Sequence, residues 1–219
     1  MSLERAGVKC TKDGISVDAK LRTSAKHIYA VGDCLGGLQF THLAGYQGAL
    51  AAFNAVQPVS LAGPGNAAVP RCTFTHPEVA TVGLTMKEAA DAYGMDKVSA
   101  KMRMLSHVDR AVCEGETEGF IKIVVDSGGK ILGATVVAPA AGDVAQELGL
   151  AVAQRLTLRA ISTCIHSYPA MSFALQQMAA DHVYNSLEKS SALSCLRCLC
   201  GPRLHGNSRP SSSEESFSQ

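Results

Sequence analysis

A carboxylate that could bind a sugar or polyol, Asp33, stands at the end of a short apolar segment. Residues 28–31 are largely apolar and are followed directly by Gly32 and Asp33. This pattern predicts a short buried strand that ends in a turn, and α/β sheets bind ligands at the carboxyl ends of such strands. Gly32 lets a ligand approach the backbone, and the Asp33 carboxylate accepts hydrogen bonds from hydroxyl groups. An ordinary turn at the end of a strand is the alternative interpretation.

Three thiols near the carboxyl end of the chain form a second group with possible chemistry. Cys195, Cys198 and Cys200 have the C-x-x-C-x-C spacing of a thiolate metal clamp, and His205 follows them. Such thiols can also be incidental in a tail rich in Ser and Arg. Both interpretations stay open, and we assign no metal site to the chain.

The elements expected to position Asp33 occupy residues 1–57. The 28–31 strand is followed by an Ala-rich segment that predicts a helix over 41–55, for which Thr41 is the expected N-cap. Residues 58–68 contain several Pro and Gly and are predicted to be a linker. Residues 188–219 have the polar composition of a disordered tail.

Residues 69–187 have a different pattern and predict an α+β domain. The expected element order is β-β-α-β-β-β-α-α, which is typical of an antiparallel sheet with helices on one face. The turn at 126–129 predicts that the last two strands form a hairpin. A capping-box sequence at Thr85 and Glu88 opens the first helix of this part. The predicted strands span 72–75, 79–84, 98–105, 119–125 and 131–138, and the predicted helices span 85–93, 142–154 and 172–187.

Composition excludes several classes of partner. The formal net charge is +1, which gives no electrostatic reason to bind nucleic acid or an anionic membrane. The sequence contains no apolar run of transmembrane length and no signal-peptide pattern at its amino end. Cysteines 10, 34, 72, 113 and 164 lie in apolar segments, and we expect most of them to be reduced and buried. These features predict an intracellular, cytoplasmic protein, with organelle targeting left open.

The amino-terminal motifs together resemble those of the pyridine nucleotide-disulfide oxidoreductases, a family of FAD-dependent enzymes. The matching segments are LRTS at 21–24, IYAVGD at 28–33 and THLA at 41–44. The resemblance implies that Asp33 binds the ribityl chain of FAD beside Gly32. It also implies that the helix start at Thr41, His42, Leu43 and Ala44 faces the flavin ring, where helix amides favour negative charge. For His42 we expect the backbone to matter more than the ring.

Residues 69–187 resemble the carboxyl-terminal interface domain of the same family. The matching segments are THPEVATVGLT at 75–85, DRA and EGETEGF within 109–120, and ILGA at 131–134. The resemblance covers about residues 3–187 and implies a homodimer formed through residues 69–187. The chain as a whole is then the carboxyl-terminal piece of an FAD-binding α/β domain followed by an α+β dimerisation domain.

The family supplies its acid-base histidine from this domain, in a His-Pro-Thr-x-Ser-Glu pattern. In the corresponding segment, IHSYPAMSFA at 165–174, Tyr168 takes the histidine position and Phe173 takes the glutamate position. His166 is the second candidate for proton transfer, but no carboxylate follows it at the family's spacing. A phenol has a pKa of about 10 and is a poor base at neutral pH. The departure is similar to the mercuric-reductase-like branch, whose substrate is not a dithiol that needs an imidazole.

Three parts of the family's machinery are missing from the sequence. It contains no Gly-x-Gly-x-x-Gly motif for FAD pyrophosphate, no Cys-x₄-Cys redox pair beside the flavin motifs and no NAD(P)H domain. We therefore expect a fragment of an FAD- and NAD(P)H-dependent oxidoreductase that acts on a small thiol, a disulfide or a metal-thiolate, inactive alone. The alternative is a non-catalytic dimerisation module without flavin.

Overall fold

The computed structural model describes residues 1–63 and 68–188. The described part contains six α-helices and one five-stranded sheet. The strands are β1 (Arg71–Thr73), β2 (Glu78–Gly83), β3 (Val98–Met104), β4 (Phe120–Asp126) and β5 (Ile131–Ala138). The helices are α1 (Thr41–Val56), α2 (Met86–Tyr93), α3 (Asp109–Glu114), α4 (Ala141–Ala153), α5 (Leu158–Ser162) and α6 (Phe173–Glu188).

The segment before α1 is extended but does not form the predicted strand. In residues 28–31 the backbone makes one isolated antiparallel bridge, between Tyr29 and Arg22, and then enters a 3-10 helix over Gly32–Leu35. A strand needs a neighbouring strand for its N–H and C=O groups. Within the described residues the only sheet is the one formed by residues 71–138, which includes none of residues 28–31. The prediction of a buried strand at 28–31 is therefore wrong.

Helix α1 has almost the predicted length, but its N-cap differs from the prediction. Phe40 is the N-cap residue, with extended backbone and no side-chain cap, and Thr41 is the first helical residue. Thr41 is exposed, and the prediction that it caps the helix is wrong. Near the other end, the amide of buried Asn54 bonds both the N–H and the C=O of Leu61, at 2.7 and 2.8 Å. This pair of bonds fixes the start of the linker against α1.

The sheet confirms the predicted α+β class. Its strand order is β1-β2-β5-β4-β3, and every neighbouring pair is antiparallel. The β4–β5 pair is the predicted hairpin, and the Asp126 carboxylate accepts bonds from the backbone N–H of Gly128 and Lys130, both at 2.9 Å. Strand register places Ile121 opposite Val136 and Ile123 opposite Ala134.

One face of the sheet and four helices, α3 to α6, enclose the main core. Helix α4 packs across β2 and β5, and α6 packs against α5 and β3. Side chains from both layers are fully buried there, and the largest are Leu105, Ile121, Ile123, Ile131, Leu148, Leu158 and Leu175. Helix α2 forms a smaller cluster with Val98, Val124 and Leu132. Because Val124 alternates with Ile123 along β4, this cluster lies on the other face of the sheet.

Local signals explain which helices the sequence predicted. Thr85 and Glu88 form the expected capping box, in which the Glu88 N–H donates to the Thr85 hydroxyl and the Thr85 N–H donates to the Glu88 carboxylate. The predictions omitted α3 and α5, which have six and five residues. Helices this short provide too few turns for apolar periodicity to be recognised. No helix in residues 1–63 and 68–188 has both the length and the apolar character needed to cross a bilayer.

A close approach of β2 and β5 makes Gly133 sensitive to substitution. Gly133→Ala would place a β-carbon 2.2 Å from the Leu84 carbonyl oxygen. We expect the free energy of unfolding to fall by about 1–3 kcal/mol, as in other overpacked sites. Gly149→Ala in α4 is the matched control, because its methyl group would meet Val82 at an ordinary 3.8 Å. The control should gain about 0.5–1 kcal/mol of helix stability. Urea unfolding measures both changes, and equal midpoints would contradict the prediction.

Candidate functional site

The 3-10 turn at Gly32–Leu35 packs directly against the first turns of α1. Gly32 is buried with a positive φ of 71°, and its N–H donates to the side-chain oxygen of Gln47 at 2.7 Å. A β-carbon on residue 32 would lie 2.9 Å from the Cβ of Ala44, so the approach requires glycine. The structure thus brings together two of the predicted cofactor-binding residues, Gly32 and Ala44.

The neighbouring predicted residues are placed where a ligand could reach them. Asp33, Thr41 and His42 are exposed, whereas Leu43 is buried and anchors the helix start. No side chain caps the amino end of α1, so its first N–H groups are available to an acceptor. A cleft of about 640 Å³ opens at this helix end and is lined in part by Phe40, Thr41, His42, Arg71 and Cys72.

These residues fit part of a flavin. The Asp33 carboxylate can accept hydrogen bonds from ribityl hydroxyls. The amino end of α1 suits a ring edge that carries negative charge. Residues 1–63 and 68–188 offer no Gly-x-Gly-x-x-Gly turn for the pyrophosphate. The described chain therefore fits the ribityl chain and the ring edge of FAD and lacks the pyrophosphate cradle.

The imidazole of His42 has a structural contact. Its Nε2 lies 2.9 Å from the carbonyl oxygen of Pro70, and its ring stacks on Phe40 with centroids 5.2 Å apart. A carbonyl oxygen only accepts hydrogen bonds, so Nε2 must be the donor. This bond connects α1 to the residue that precedes β1. Because the His42 ring is engaged there, the backbone N–H is the part of His42 that remains available at the uncapped start of α1.

Tyr168 projects from the irregular segment between α5 and α6, and we call residues 163–172 the Tyr168 loop. The tyrosine is 65% exposed, and its ring meets Phe173 edge-on, with centroids 5.4 Å apart. A hydrogen bond to the Asp109 carboxylate, together with the charge of that carboxylate, raises the pKa of Tyr168 above its usual value. The hydroxyl is therefore a hydrogen-bond donor across the neutral pH range.

His166 precedes Tyr168 by two residues, and its imidazole is largely buried. Its side chain is only 8% exposed, and Nε2 lies 2.9 and 3.1 Å from the two carboxylate oxygens of Glu147 in α4. Its Nδ1 lies 3.1 Å from the carbonyl oxygen of Cys164. The sequence predicted no carboxylate partner, because Glu147 precedes His166 by 19 residues. The signal that could have found it is a lone carboxylate between the buried positions Ala145 and Leu148 of α4.

The cysteines differ from the prediction. Cys10, Cys34, Cys113 and Cys164 are exposed free thiols, and only Cys72 is partly buried. The prediction of mostly buried thiols is wrong, because the four lie in surface loops and short helices, and Cys113 and Cys164 stand beside exposed apolar residues, Val112 and Ile165. Burial and the neighbouring Glu78 carboxylate raise the pKa of the Cys72 thiol.

Metal ligands are not grouped in the described part of the chain. Among residues 1–63 and 68–188 the structure contains no group of three His, Cys, Asp or Glu side chains placed to hold a metal ion. Cys195, Cys198, Cys200 and His205 lie outside the described residues, as do residues 189–219 of the predicted tail, whereas Glu188, predicted as its first residue, is the last residue of α6.

Two family profiles match the chain. The dimerisation domain of the pyridine nucleotide-disulphide oxidoreductases matches residues 69–179. The pyridine nucleotide-disulphide oxidoreductase profile matches residues 1–48. The two matches divide the chain on either side of the predicted linker, and the longer match covers the sheet and α2–α5.

Individual relatives agree with the profiles. Over 177 residues the chain is 37% identical to a dihydrolipoyl dehydrogenase of Geobacillus stearothermophilus, covering 78% of this chain and 36% of the relative. Over 181 residues it is 36% identical to a mercuric reductase of Shigella flexneri, covering 82% of this chain and 31% of the relative. The crystal structure of LpdA from Mycobacterium tuberculosis matches with a TM-score of 0.75 and 31% identity, covering 82% of this chain and 39% of LpdA. The chain thus spans about a third of the length of the two curated relatives.

The contact between Tyr168 and Asp109 predicts a change in titration. Asp109→Asn removes the negative charge that disfavours the phenolate, so the pKa of Tyr168 should fall. NMR titration of ¹³Cζ-labelled tyrosine measures it. Glu114→Gln is the matched control, since it removes one charge from the same helix at a residue paired with Arg110. A pKa of Tyr168 that is equal in the wild type and Asp109→Asn would contradict the assigned hydrogen bond.

Proposed function

The chain belongs to the pyridine nucleotide-disulphide oxidoreductase family, and from this premise we propose that it is the carboxyl-terminal portion of an FAD-dependent NAD(P)H oxidoreductase. We propose a sulfur-linked substrate, which is a disulfide, a small thiol or a thiol-bound metal, as in a mercuric-reductase-like enzyme. The proposal rests on one observation above all. Tyr168 occupies the position of the family's acid-base histidine. Its side chain is exposed, and the Asp109 carboxylate raises the pKa of its hydroxyl.

The domain division is part of the proposal. Residues 1–57 are the last part of an FAD-binding domain, 58–68 are a linker and 69–187 are the dimerisation domain, with 188–219 as a tail. The separate profile matches at 1–48 and 69–179 support this division. We also propose an intracellular location. All five cysteines in the described residues are free thiols, which suits a reducing compartment.

Flavin binding would use the surface formed by the 3-10 turn and α1. FAD, when bound, supplies two-electron transfer from NAD(P)H to a disulfide. Asp33 would accept hydrogen bonds from the ribityl hydroxyls, and Gly32 would let the cofactor approach the backbone. The uncapped N–H groups at Thr41, His42 and Leu43 would favour negative charge on the ring edge, with Ala44 packed beneath.

Tyr168 would act at a cleft shared by two subunits. Its hydroxyl can donate a hydrogen bond to a thiolate or to a sulfur-bound metal complex, but it cannot serve as a base while its pKa is raised. His166 remains the second candidate for proton transfer by position. Both of its ring nitrogens have partners within the chain and its side chain is 8% exposed, which favours Tyr168 as the group presented to substrate.

Apolar side chains around the loop support a partner subunit at this surface. Ile165 is 96% exposed, and Val112 on α3, the helix that supplies Asp109, is 55% exposed. Large apolar groups exposed to water are typical of a surface that another chain covers. We propose that the homodimer formed through residues 69–187 buries these side chains beside Tyr168.

A test of the flavin proposal compares this chain with the same chain joined to its upstream reading frame. We expect the 219-residue chain to bind FAD weakly or not at all, and the longer protein to purify with a flavin spectrum. In the longer protein Asp33→Asn should weaken FAD binding about 10–100-fold, the equivalent of one hydrogen bond to a charged group. Asp91→Asn, at an exposed residue of α2, is the matched control.

The same preparation tests the chemistry. NAD(P)H oxidation is followed with a disulfide, a small thiol adduct and a mercuric thiolate as substrates, and Tyr168→Phe should reduce turnover of the accepted substrate. If the upstream frame lacks both Gly-x-Gly-x-x-Gly and Cys-x₄-Cys, the enzyme proposal fails. The non-catalytic dimerisation module then becomes the better account.

Dimerisation can be tested on the chain as it stands. Ile165→Asp should raise the dimer Kd by at least about tenfold, because burying an isoleucine is worth about 1.5–3 kcal/mol. Met95→Asp is the matched control, since Met95 is also exposed, at 69%, but lies between α2 and β3. Sedimentation equilibrium at micromolar concentration measures both, and a monomeric wild type would contradict the proposal.

A further inference from the structure

The Tyr168 loop has little regular backbone hydrogen bonding and is held by polar contacts with neighbouring helices. Glu147 of α4 contacts the imidazole of His166, and Gln176 of α6 accepts from the His166 N–H at 3.1 Å. The Asp109 carboxylate of α3 is near enough to the Tyr168 hydroxyl to raise the pKa of that phenol. Residue 166 is thus held from two helices, and residue 168 follows it with one residue between them.

Both ring nitrogens of His166 have oxygen atoms within hydrogen-bond distance. The Cys164 carbonyl oxygen lies 3.1 Å from Nδ1, and the two Glu147 carboxylate oxygens lie 2.9 and 3.1 Å from Nε2. The ring is therefore engaged within the chain on both edges, and neither nitrogen is left for a substrate.

We propose that Glu147 and His166 form a positioning pair that locks the Tyr168 loop to α4 and thereby sets the place of the Tyr168 hydroxyl. Both carboxylate oxygens of Glu147 contact the Nε2 of His166, at 2.9 and 3.1 Å, and the imidazole ring is nearly enclosed. A displaced His166 would carry Tyr168 with it, because only residue 167 separates them. The significance of this placement for catalysis rests on the proposed function, whereas the lock itself does not.

The pair differs from the family pattern described for the sequence. There the carboxylate follows the histidine by five residues on the same segment, and the histidine transfers the proton. Here the carboxylate comes from another helix, and Phe173 occupies the glutamate position and packs on Tyr168. The pair of His166 and Glu147 therefore acts by holding the loop that carries the Tyr168 hydroxyl. Glu147 and His166 are positioning residues, and Tyr168 is the residue presented to solvent.

NMR of the full chain tests the lock without flavin or turnover. The variants are Glu147→Ala and Glu147→Gln, with Glu118→Gln as the control at an exposed carboxylate between α3 and β4. The readouts are the ¹⁵N shifts of the His166 ring, hydrogen exchange of the His166 amide, and the ¹³Cζ signal of Tyr168. Tyr184, which is 67% exposed, is the internal reference for the tyrosine signal.

We expect the ¹⁵N shifts of the His166 ring to change in both Glu147 variants, because each variant replaces the carboxylate that contacts Nε2. Exchange of the His166 amide should rise at least about tenfold in Glu147→Ala, the equivalent of about 1.4 kcal/mol of local opening, and less in Glu147→Gln. The Tyr168 signal should move in both variants, while Tyr184 and the control stay unchanged.

Two results would overturn the inference. One is a His166 ring whose ¹⁵N shifts are the same in the wild type and in both Glu147 variants, and the other is an unchanged Tyr168 signal when the ring shifts change. If Glu147→Ala does not fold, the near-isosteric Glu147→Gln decides by the same two readouts. A failed flavin or turnover test leaves these readouts intact, so the proposed function and the positioning pair can fail separately.

Discussion

Burial of one face of the sheet beneath α4, α5 and α6 is the constraint on which the candidate site depends. Leu148 and Leu175 are fully buried against strands that present Ile121 and Ile123. Interiors this closely packed leave the helices little freedom to shift relative to the sheet. The polar groups at the edge of these helices therefore have fixed starting points. The loop between α5 and α6 needs few contacts of its own because its two ends are already anchored.

Local chemistry made much of this fold predictable from the sequence. The Thr85 and Glu88 capping box and the turn after β4 are encoded within four or five residues, and both occur where predicted. The strand at 28–31 failed for a different reason. Its apolar residues describe what the segment can bury, but pairing depends on a neighbouring strand, and within the described residues Tyr29 makes only one bridge. Short helices such as α3 and α5 contain too little pattern to be found.

The candidate site was only partly predictable. Family motifs located Asp33 and Tyr168, since those positions lie at fixed offsets from a glycine and a proline. Glu147 was missed because its contact with His166 depends on how α4 packs on the sheet, which no local spacing encodes. The exposure of Cys113 and Cys164 was missed for a related reason. An apolar neighbourhood in the sequence does not say which side of a short helix or turn faces the core.

The hydrogen bond between His42 and Pro70 links the amino-terminal segment directly to the start of the sheet. His42 lies in the first turn of α1, and Pro70 directly precedes Arg71, where β1 begins. A group that tilts the first turn of α1 must strain this bond or carry the peptide before β1 with it. If a group bound at that helix end shifts Pro70, then by thermodynamic reciprocity a second group that holds Pro70 in its shifted place raises the affinity of the helix end by the factor by which its own affinity is raised.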